Sequence, residues 1–257
     1  MSKHLLDLRI ASSRILPGGC SIIELELPDR SSLPPVHPGQ FAEIKIDNSP
    51  NTMLRRPISV CDITDNGRRL VLLVKPVGDG SRHLVDSPVG SVVNVLMPLG
   101  NGFTMPEAPC RTLLVGGGVG SAPIVMLAHA LTAAGCDVTV ALGGRTSADL
   151  EGIKDLYGTA RVVFSTDDGS AGHHGLVTTL PEFAEDYDRI YCCGPTPMMR
   201  AVAKIARQRD ICCEVSLENM MACGLGACLC CVEKTIKGNT CVCTDGPVFN
   251  IDMLTWQ

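Results

Sequence analysis

Apolar and polar positions change rhythm near residue 105. Before it, apolar residues come in short alternating or continuous runs: SIIELELP (21–28), QFAEIKI (40–46), RRPISVCDI (55–63), RRLVLLVKPVG (68–78) and SVVNVLMPLG (91–100). Proline and glycine turns such as LPPVHPGQ (33–40) and DNGRR (65–69) separate them. Short strands at such intervals predict a small antiparallel β-barrel. From residue 111 the pattern becomes strand, glycine turn and apolar helix in RTLLVGGGVGSAPIVMLAHALTAAG (111–135). DVTVALGG (137–144), RVVFSTDD (161–168) and RIYCCGP (189–195) read as further strands, with helix-length stretches between them. Alternating strand and helix predicts a parallel α/β sheet. Boundaries in FTMPEAPC (103–110) and near 213–217 divide the chain into 1–104, 105–214 and a cysteine-rich tail, 215–257. The expected architecture is multidomain: barrel, α/β nucleotide-binding domain and small C-terminal metal domain.

The tail changes the picture most. ACGLGACLCCVEKTIKGNTCVCTDGPVF (222–249) spaces Cys223, Cys228 and Cys231 as C-x4-C-x2-C, with Cys243 further on. That spacing matches the plant-type [2Fe–2S] run, in which a glycine-rich loop wraps the irons while thiolates converge. Gly224 and Gly226 let backbone N–H groups approach bridging sulfides. Zinc sites more often pair cysteines as C-x2-C twice, so the spacing favours a cluster over zinc. Cys230 lies between two ligands and should point away. Cys241 and Cys243 are two apart and face one side of an extended chain, so spacing alone leaves the fourth ligand open between them.

Composition narrows the class. With 257 residues, 45% of them hydrophobic, the chain can bury two cores and an appendage. A net charge of −5 gives no reason to expect a nucleic-acid surface. The 14 cysteines, with no signal-like stretch in MSKHLLDLRIAS and no membrane-length apolar run, lead us to expect reduced thiols and a cytoplasmic location.

Gly116, Gly117, Gly118 and Gly120 lie where a strand becomes a helix, as a pyrophosphate-binding turn requires. Ala122 and Pro123 follow where a third motif glycine would stand. No acid ends the next strand, which offers Arg145, a residue able to meet a 2′-phosphate or to be plain surface charge. The polar turn Thr166-Asp167-Asp168-Gly169-Ser170 is a candidate adenosine-side loop, and His173 and His174 read as surface residues.

Three further elements carry a family resemblance. Leu54-Arg55-Arg56-Pro57-Ile58-Ser59-Val60 resembles the R-x-Y-S flavin signature of the ferredoxin reductase superfamily. Gly78-Asp79-Gly80-Ser81 is similar to its flavin pyrophosphate loop, and Cys193-Gly194-Pro195 with Met198 and Met199 to its C-G-P element. With the tail, the chain resembles the electron-transfer subunits of NAD-linked (class 1B) dihydroorotate dehydrogenases. Two departures are Ile58, where the superfamily carries tyrosine, and an eleven-residue gap between Cys231 and Cys243, shorter than that branch leads one to expect.

The resemblance implies FAD held by Arg56, Pro57, Ile58 and Ser59, by Leu73, Val74 and Lys75, and by Gly80 and Ser81. Ser59 would stand near the flavin N5. It implies NAD at the glycine turn and at Cys193, Gly194 and Pro195, with Cys193 positioning the nicotinamide and no certain catalytic residue. It implies a [2Fe–2S] cluster on Cys223, Cys228, Cys231 and Cys243. Electrons would come from the FMN of a partner dihydroorotate dehydrogenase subunit, in pyrimidine (UMP) biosynthesis, within a heterotetramer of two catalytic and two transfer subunits. Met220, Met221, Leu225 and Leu229 would face that partner. Two other readings are a small flavin and iron–sulfur subunit of an NADH-dependent ferredoxin:NADP⁺ oxidoreductase or soluble hydrogenase, and a zinc-stabilised, non-redox binding module.

Overall fold

The computed structural model describes residues 2–47, 49 and 51–256. Among these, six strands close an antiparallel barrel: β1 (His4–Ile15), β2 (Ser21–Glu26), β3 (Phe41–Ile44), β4 (Arg56–Thr64), β5 (Arg69–Val74) and β6 (Val92–Leu99). Their order round the barrel is β1-β2-β5-β4-β3-β6. Leu8, Ile23, Leu25, Ile44, Val60, Leu70, Leu72 and Val95 fill its interior. The sequence pattern had not marked β1, because only Leu8 and Ile10 of its twelve residues are buried. Helix α1 (Asp79–Asp86) follows β5, so Gly-Asp-Gly-Ser is the start of a helix rather than a bare turn.

The second body is a sheet ordered β10-β9-β8-β7-β11-β12-β15. Its parallel strands are β7 (Arg111–Gly117), β8 (Asp137–Gly144), β9 (Arg161–Thr166), β10 (His173–His174), β11 (Arg189–Cys193) and β12 (Cys212–Ser216). His173 and His174 are exposed at its edge. Helix α2 (Ala122–Ala133) is apolar almost all round because it lies between two partners. Its Val125, Leu127, Ala128 and Leu131 share one core with Cys61, Val71 and Leu73 of the barrel and Leu114 and Val140 of the sheet. After the single turn α3 (Ser147–Leu150), helix α4 (Thr196–Gln208) covers the other face. It buries only Met199, Val202, Ala203 and Ala206, one stripe at helical spacing.

The tail forms a hairpin of β13 (Val232–Thr235) and β14 (Gly238–Cys241), then the single turn α5 (Val242–Asp245). The tail does not lie wholly beyond the sheet as its sequence suggests: β15 (Val248–Asn250) is the sheet's last strand, antiparallel to β12. Cys231, Val242, Cys243 and Trp256 complete the core beneath α4.

The glycine turn owes its shape to close approach as well as to freedom of φ. A Cβ on Gly120 would lie 2.5 Å from Gly194 Cα, backbone against backbone, whereas one on Gly118 would meet nothing within 4 Å. Gly118 has φ +56° instead. Gly120→Ala should therefore destabilise by about 3 kcal/mol through overpacking. Gly118→Ala should cost about 1 kcal/mol through backbone strain alone. Urea denaturation of both variants checks this order.

Across the barrel–helix seam, His129 Nδ1 of α2 lies 3.0 Å from Asp62 Oδ2 of β4. That hydrogen bond, against the opposing effect of burial, raises the imidazole pKa. A raised histidine stabilises the fold fully below its unfolded pKa, and the contribution is lost as pH rises through the folded value. Asp62→Asn should cost about 0.5 kcal/mol at pH 5.5, the scale of a partly exposed pair, and nothing attributable to this pair at pH 9. Denaturation at both pH values measures the difference.

Candidate functional site

Barrel and sheet meet along a cleft of about 340 Å³. β4 supplies Arg56, Pro57, Ile58 and Ser59, the end of β5 supplies Leu73, Val74 and Lys75, and the start of α1 supplies Gly80 and Ser81. Arg56 Nη1 donates to the carbonyls of Leu54 and Arg55, at 3.1 and 3.2 Å. Among the described residues it has no carboxylate partner, so its charge faces the cleft uncompensated. A Cβ on Gly80 would lie 2.7 Å from Arg56 Nε, so glycine there makes room for the guanidinium. The Ser81 hydroxyl accepts from the N–H groups of Val77 and Gly78 and donates to Gly78 O, which commits it to the turn. Backbone N–H groups at the start of α1 are left to bind an anion.

Gly117 packs against Pro195 and Gly120 against Cys193 and Gly194, while Gly116 pairs with Cys193 in the sheet and Gly118 stands open, and Val119 and Ala122 carry this turn into the cleft wall. Cys193 is fully buried, and burial holds its thiol well above the ordinary value, so it is no thiolate nucleophile. Its Sγ donates to Glu218 Oε1 at 3.7 Å. Glu218 is open to the cleft yet enclosed by protein on its other sides, and that enclosure raises its carboxyl pKa. Glu218 was missed from the sequence, as were the cleft residues Phe41, Leu217, Asn219 and Pro247. Met221, grouped above with exposed contact residues, is half-buried and lines the cleft, whereas Met220, Leu225 and Leu229 are exposed.

Directly after Met221 the chain enters the cysteine loop. Gly224 (φ +64°), Gly226 (φ +81°) and Leu229 (φ +58°) take left-handed turns that fold it over itself. The Leu225 N–H donates to Cys223 Sγ at 3.4 Å and the Gly226 N–H to Cys243 Sγ at 3.2 Å. The N–H of Cys243 in turn donates to Cys231 Sγ at 3.4 Å. The Leu225 N–H, helped by Cys228, draws the Cys223 thiol down to about 6. Burial, with a hydrogen bond to Cys231, pushes Cys243 up to about 12. The sulfurs of Cys223, Cys231 and Cys243 thus each receive a backbone N–H of the tail. Among the described residues no three His, Cys, Asp or Glu side chains gather as they would round one metal ion. Cys243 rather than Cys241 is hydrogen-bonded into the loop, and Cys230 is exposed. Below the loop, Glu43 of β3 is fully buried, with neither carboxylate oxygen hydrogen-bonded. Burial pushes its carboxyl up to about 7 against the pull of Arg55, and Cys223 adds to the rise.

The residues fit the expected groups. An uncompensated arginine and a helix start suit a flavin phosphate, and Ile58, Leu73 and Val74 give an apolar wall for a ring. Thiols spaced C-x4-C-x2-C, with amide N–H groups donated to three of the sulfurs and no three ligands gathered round one point among the described residues, suit a two-iron cluster better than a single tetrahedral ion.

Comparison with known proteins agrees. A family model for the iron–sulfur cluster binding domain of dihydroorotate dehydrogenase B matches residues 218–255. The dihydroorotate dehydrogenase B (NAD(+)) electron transfer subunit of Bacillus caldolyticus is 38% identical over 248 residues, covering 94% of this chain and 95% of that one. That of Desulforamulus reducens is 35% identical across 100% of both chains. Among solved structures, the NADH-dependent reduced ferredoxin-NADP oxidoreductase matches with TM-score 0.86 and 30% identity over 98% of this chain and 90% of its own. Phthalate dioxygenase reductase shares the fold, with TM-score 0.66 and 24% identity over 79% and 64% of the two chains. Identity at this level along nearly the whole length settles the matter: the chain belongs to the family of electron transfer subunits of dihydroorotate dehydrogenase B (NAD(+)).

Proposed function

We propose that this chain carries electrons from the FMN of a dihydroorotate dehydrogenase catalytic subunit, through a [2Fe–2S] cluster and FAD, to NAD⁺ in pyrimidine biosynthesis. The observation that carries this reading is a shared wall: Leu217, Glu218, Asn219 and Met221 line the cleft, and the same stretch of chain continues at once into the cysteine loop. When bound, the cluster supplies one-electron steps and the flavin converts them to the two-electron exchange that a nicotinamide needs.

The chain's own residues bind and orient. Arg56 and the start of α1 hold the flavin phosphates, while Ser59 faces the cleft beside Phe41, its partner in the β3–β4 register. Cys193, kept protonated by burial, and Glu218 mark the place of the nicotinamide. Cys223, Cys228, Cys231 and Cys243 take the irons, and Leu225 and Gly226 donate N–H groups to their sulfurs. The exposed Met220, Leu225 and Leu229, beside exposed Cys228, form the docking rim for the catalytic subunit, in an assembly of two copies of each. The working division remains 1–104 for flavin, 105–214 for NAD and 215–257 for the cluster, in a cytoplasmic complex.

A second reading, a subunit of an NADH-dependent ferredoxin:NADP⁺ oxidoreductase, draws on the structural neighbour of TM-score 0.86. The identity of the co-purifying partner separates the two.

An anaerobic absorption spectrum, with iron, sulfide and flavin assays, should show flavin and cluster bands that bleach with NADH. A colourless, zinc-containing protein would falsify the relay. Cys228→Ser and Cys243→Ser should lose the cluster bands and abolish electron transfer from the catalytic subunit, yet keep NADH-dependent bleaching of the flavin. Cys230→Ser and Cys241→Ser should retain full iron and sulfide content.

A further inference from the structure

Dinucleotides lie across the carboxyl ends of parallel strands, with the pyrophosphate at the glycine turn. The end of the following strand then reads the adenosine ribose. An acid there binds the 2′-hydroxyl, and an arginine accommodates a 2′-phosphate. In this chain the strand after the glycine turn is β8, and the residue following Gly144 is Arg145. By residue type alone, the position would admit a 2′-phosphate.

The structure gives that arginine to another partner. Arg145 Nε donates to Asp149 Oδ2 at 3.1 Å and Nη2 to Oδ1 at 3.3 Å, a two-point pairing. The backbone N–H of Arg145 donates to the same Asp149 oxygen at 3.1 Å. The acid is the fixed member of the pair, with its side chain 13% exposed against 73% for the arginine. Arg145, and more weakly Lys75, hold the Asp149 carboxyl below its ordinary range.

Two more acids stand alongside. The Asp167 N–H donates to Gly144 O at 3.0 Å and the Asp168 N–H to Arg145 O at 3.2 Å, which lays the end of β9 beside the end of β8. The Asp168 carboxylate is held by the Ser170 hydroxyl and N–H. Around the ribose position, Asp149, Asp167 and Asp168 therefore outnumber Arg145 and Lys75. A 2′-phosphate would add about two negative charges to a place where the exposed guanidinium is already doubly engaged.

We propose that Asp149 is a specificity-determining residue: by occupying Arg145 it turns the ends of β8 and β9 against a 2′-phosphate and selects NAD over NADP. The inference rests on the NAD-reducing reading given above. The selection works through charge count at the ribose, so it does not require the ion pair to stabilise the fold, and exposed pairs contribute little to stability.

The test uses the flavin-loaded full chain and two readouts. Calorimetric binding of 2′,5′-ADP against AMP reports the ribose position without turnover, and flavin bleaching compares NADPH with NADH. Asp149→Asn should improve 2′,5′-ADP relative to AMP, and NADPH relative to NADH, by about tenfold, as expected for removing one nearby charge. Asp149→Glu should keep the wild-type preference. Adding Arg145→Ala to Asp149→Asn should cancel the gain, which identifies Arg145 as its route. Asp167→Asn, whose carboxylate holds no described hydrogen bond, should move both ratios the same way by less, and serves should Asp149→Asn misfold. A wild-type protein that prefers NADH, with neither variant shifting either ratio, would overturn the assignment of Asp149. Wild-type protein that binds no AMP and does not bleach with NADH sinks the inference together with the function beneath it.

Discussion

Residues 246–250 tie the molecule together. The Asn101 N–H of the barrel's exit donates to Gly246 O at 2.6 Å, and the Leu217 N–H of the sheet donates to Pro247 O at 2.9 Å. Val248 to Asn250 then complete the sheet against β12, while Pro247 lines the cleft and Cys243 lies four residues before it. The fit is tight enough to dictate residue types. A Cβ on Gly100 would sit 2.5 Å from Pro247 Cδ, and one on Gly39 would sit 2.9 Å from Val248 Cγ2. Cleft wall, parallel sheet and cysteine loop are thereby fixed relative to one another by one short segment in addition to the α2 seam, and electron transfer over a set distance needs that rigidity.

The electrostatics of the site follow from the same enclosure. Cys193 and Glu43 sit where protein has displaced water, Glu218 is enclosed on every side but the open cleft, and each is held toward its neutral form. Cys223 is the exception, because amide N–H groups of its own loop stabilise its charged form. Negative charge is admitted where backbone dipoles receive it and suppressed elsewhere, which leaves Arg56 and Lys75 as cations facing the cleft.

The parts of this design that were legible in the sequence are those with local signatures. β2 and β5 declare themselves by aliphatic runs, the glycine turn by its place between strand and helix, and the cluster loop by its cysteine spacing. The rest depends on contacts distant in sequence. β1 hides because it bends round the barrel, with a bulge between Ile10 and Ser12, and buries few residues. β15 has three residues, and nothing local shows that it returns to a sheet formed more than thirty residues earlier. Glu43 looks like any other acid until folding removes its water, and Glu218 until folding sets it beside Cys193. Arg145 shows the same limit, since its residue type is evident but Asp149's hold on it requires the turn of α3. Met221 differs from Met220 only in which way the folded chain faces it.

A chain is made from its amino end, and its domains fold largely as units as they emerge. The barrel and the parallel strands can therefore collapse while 246–250 are still inside the ribosome. At that stage they are joined mainly across α2, and the cleft lacks Pro247 and the strand that fixes Leu217 to Met221. The cleft is thus closed only once residues 246–250 have joined the sheet, and until then it is a barrel groove without its far wall.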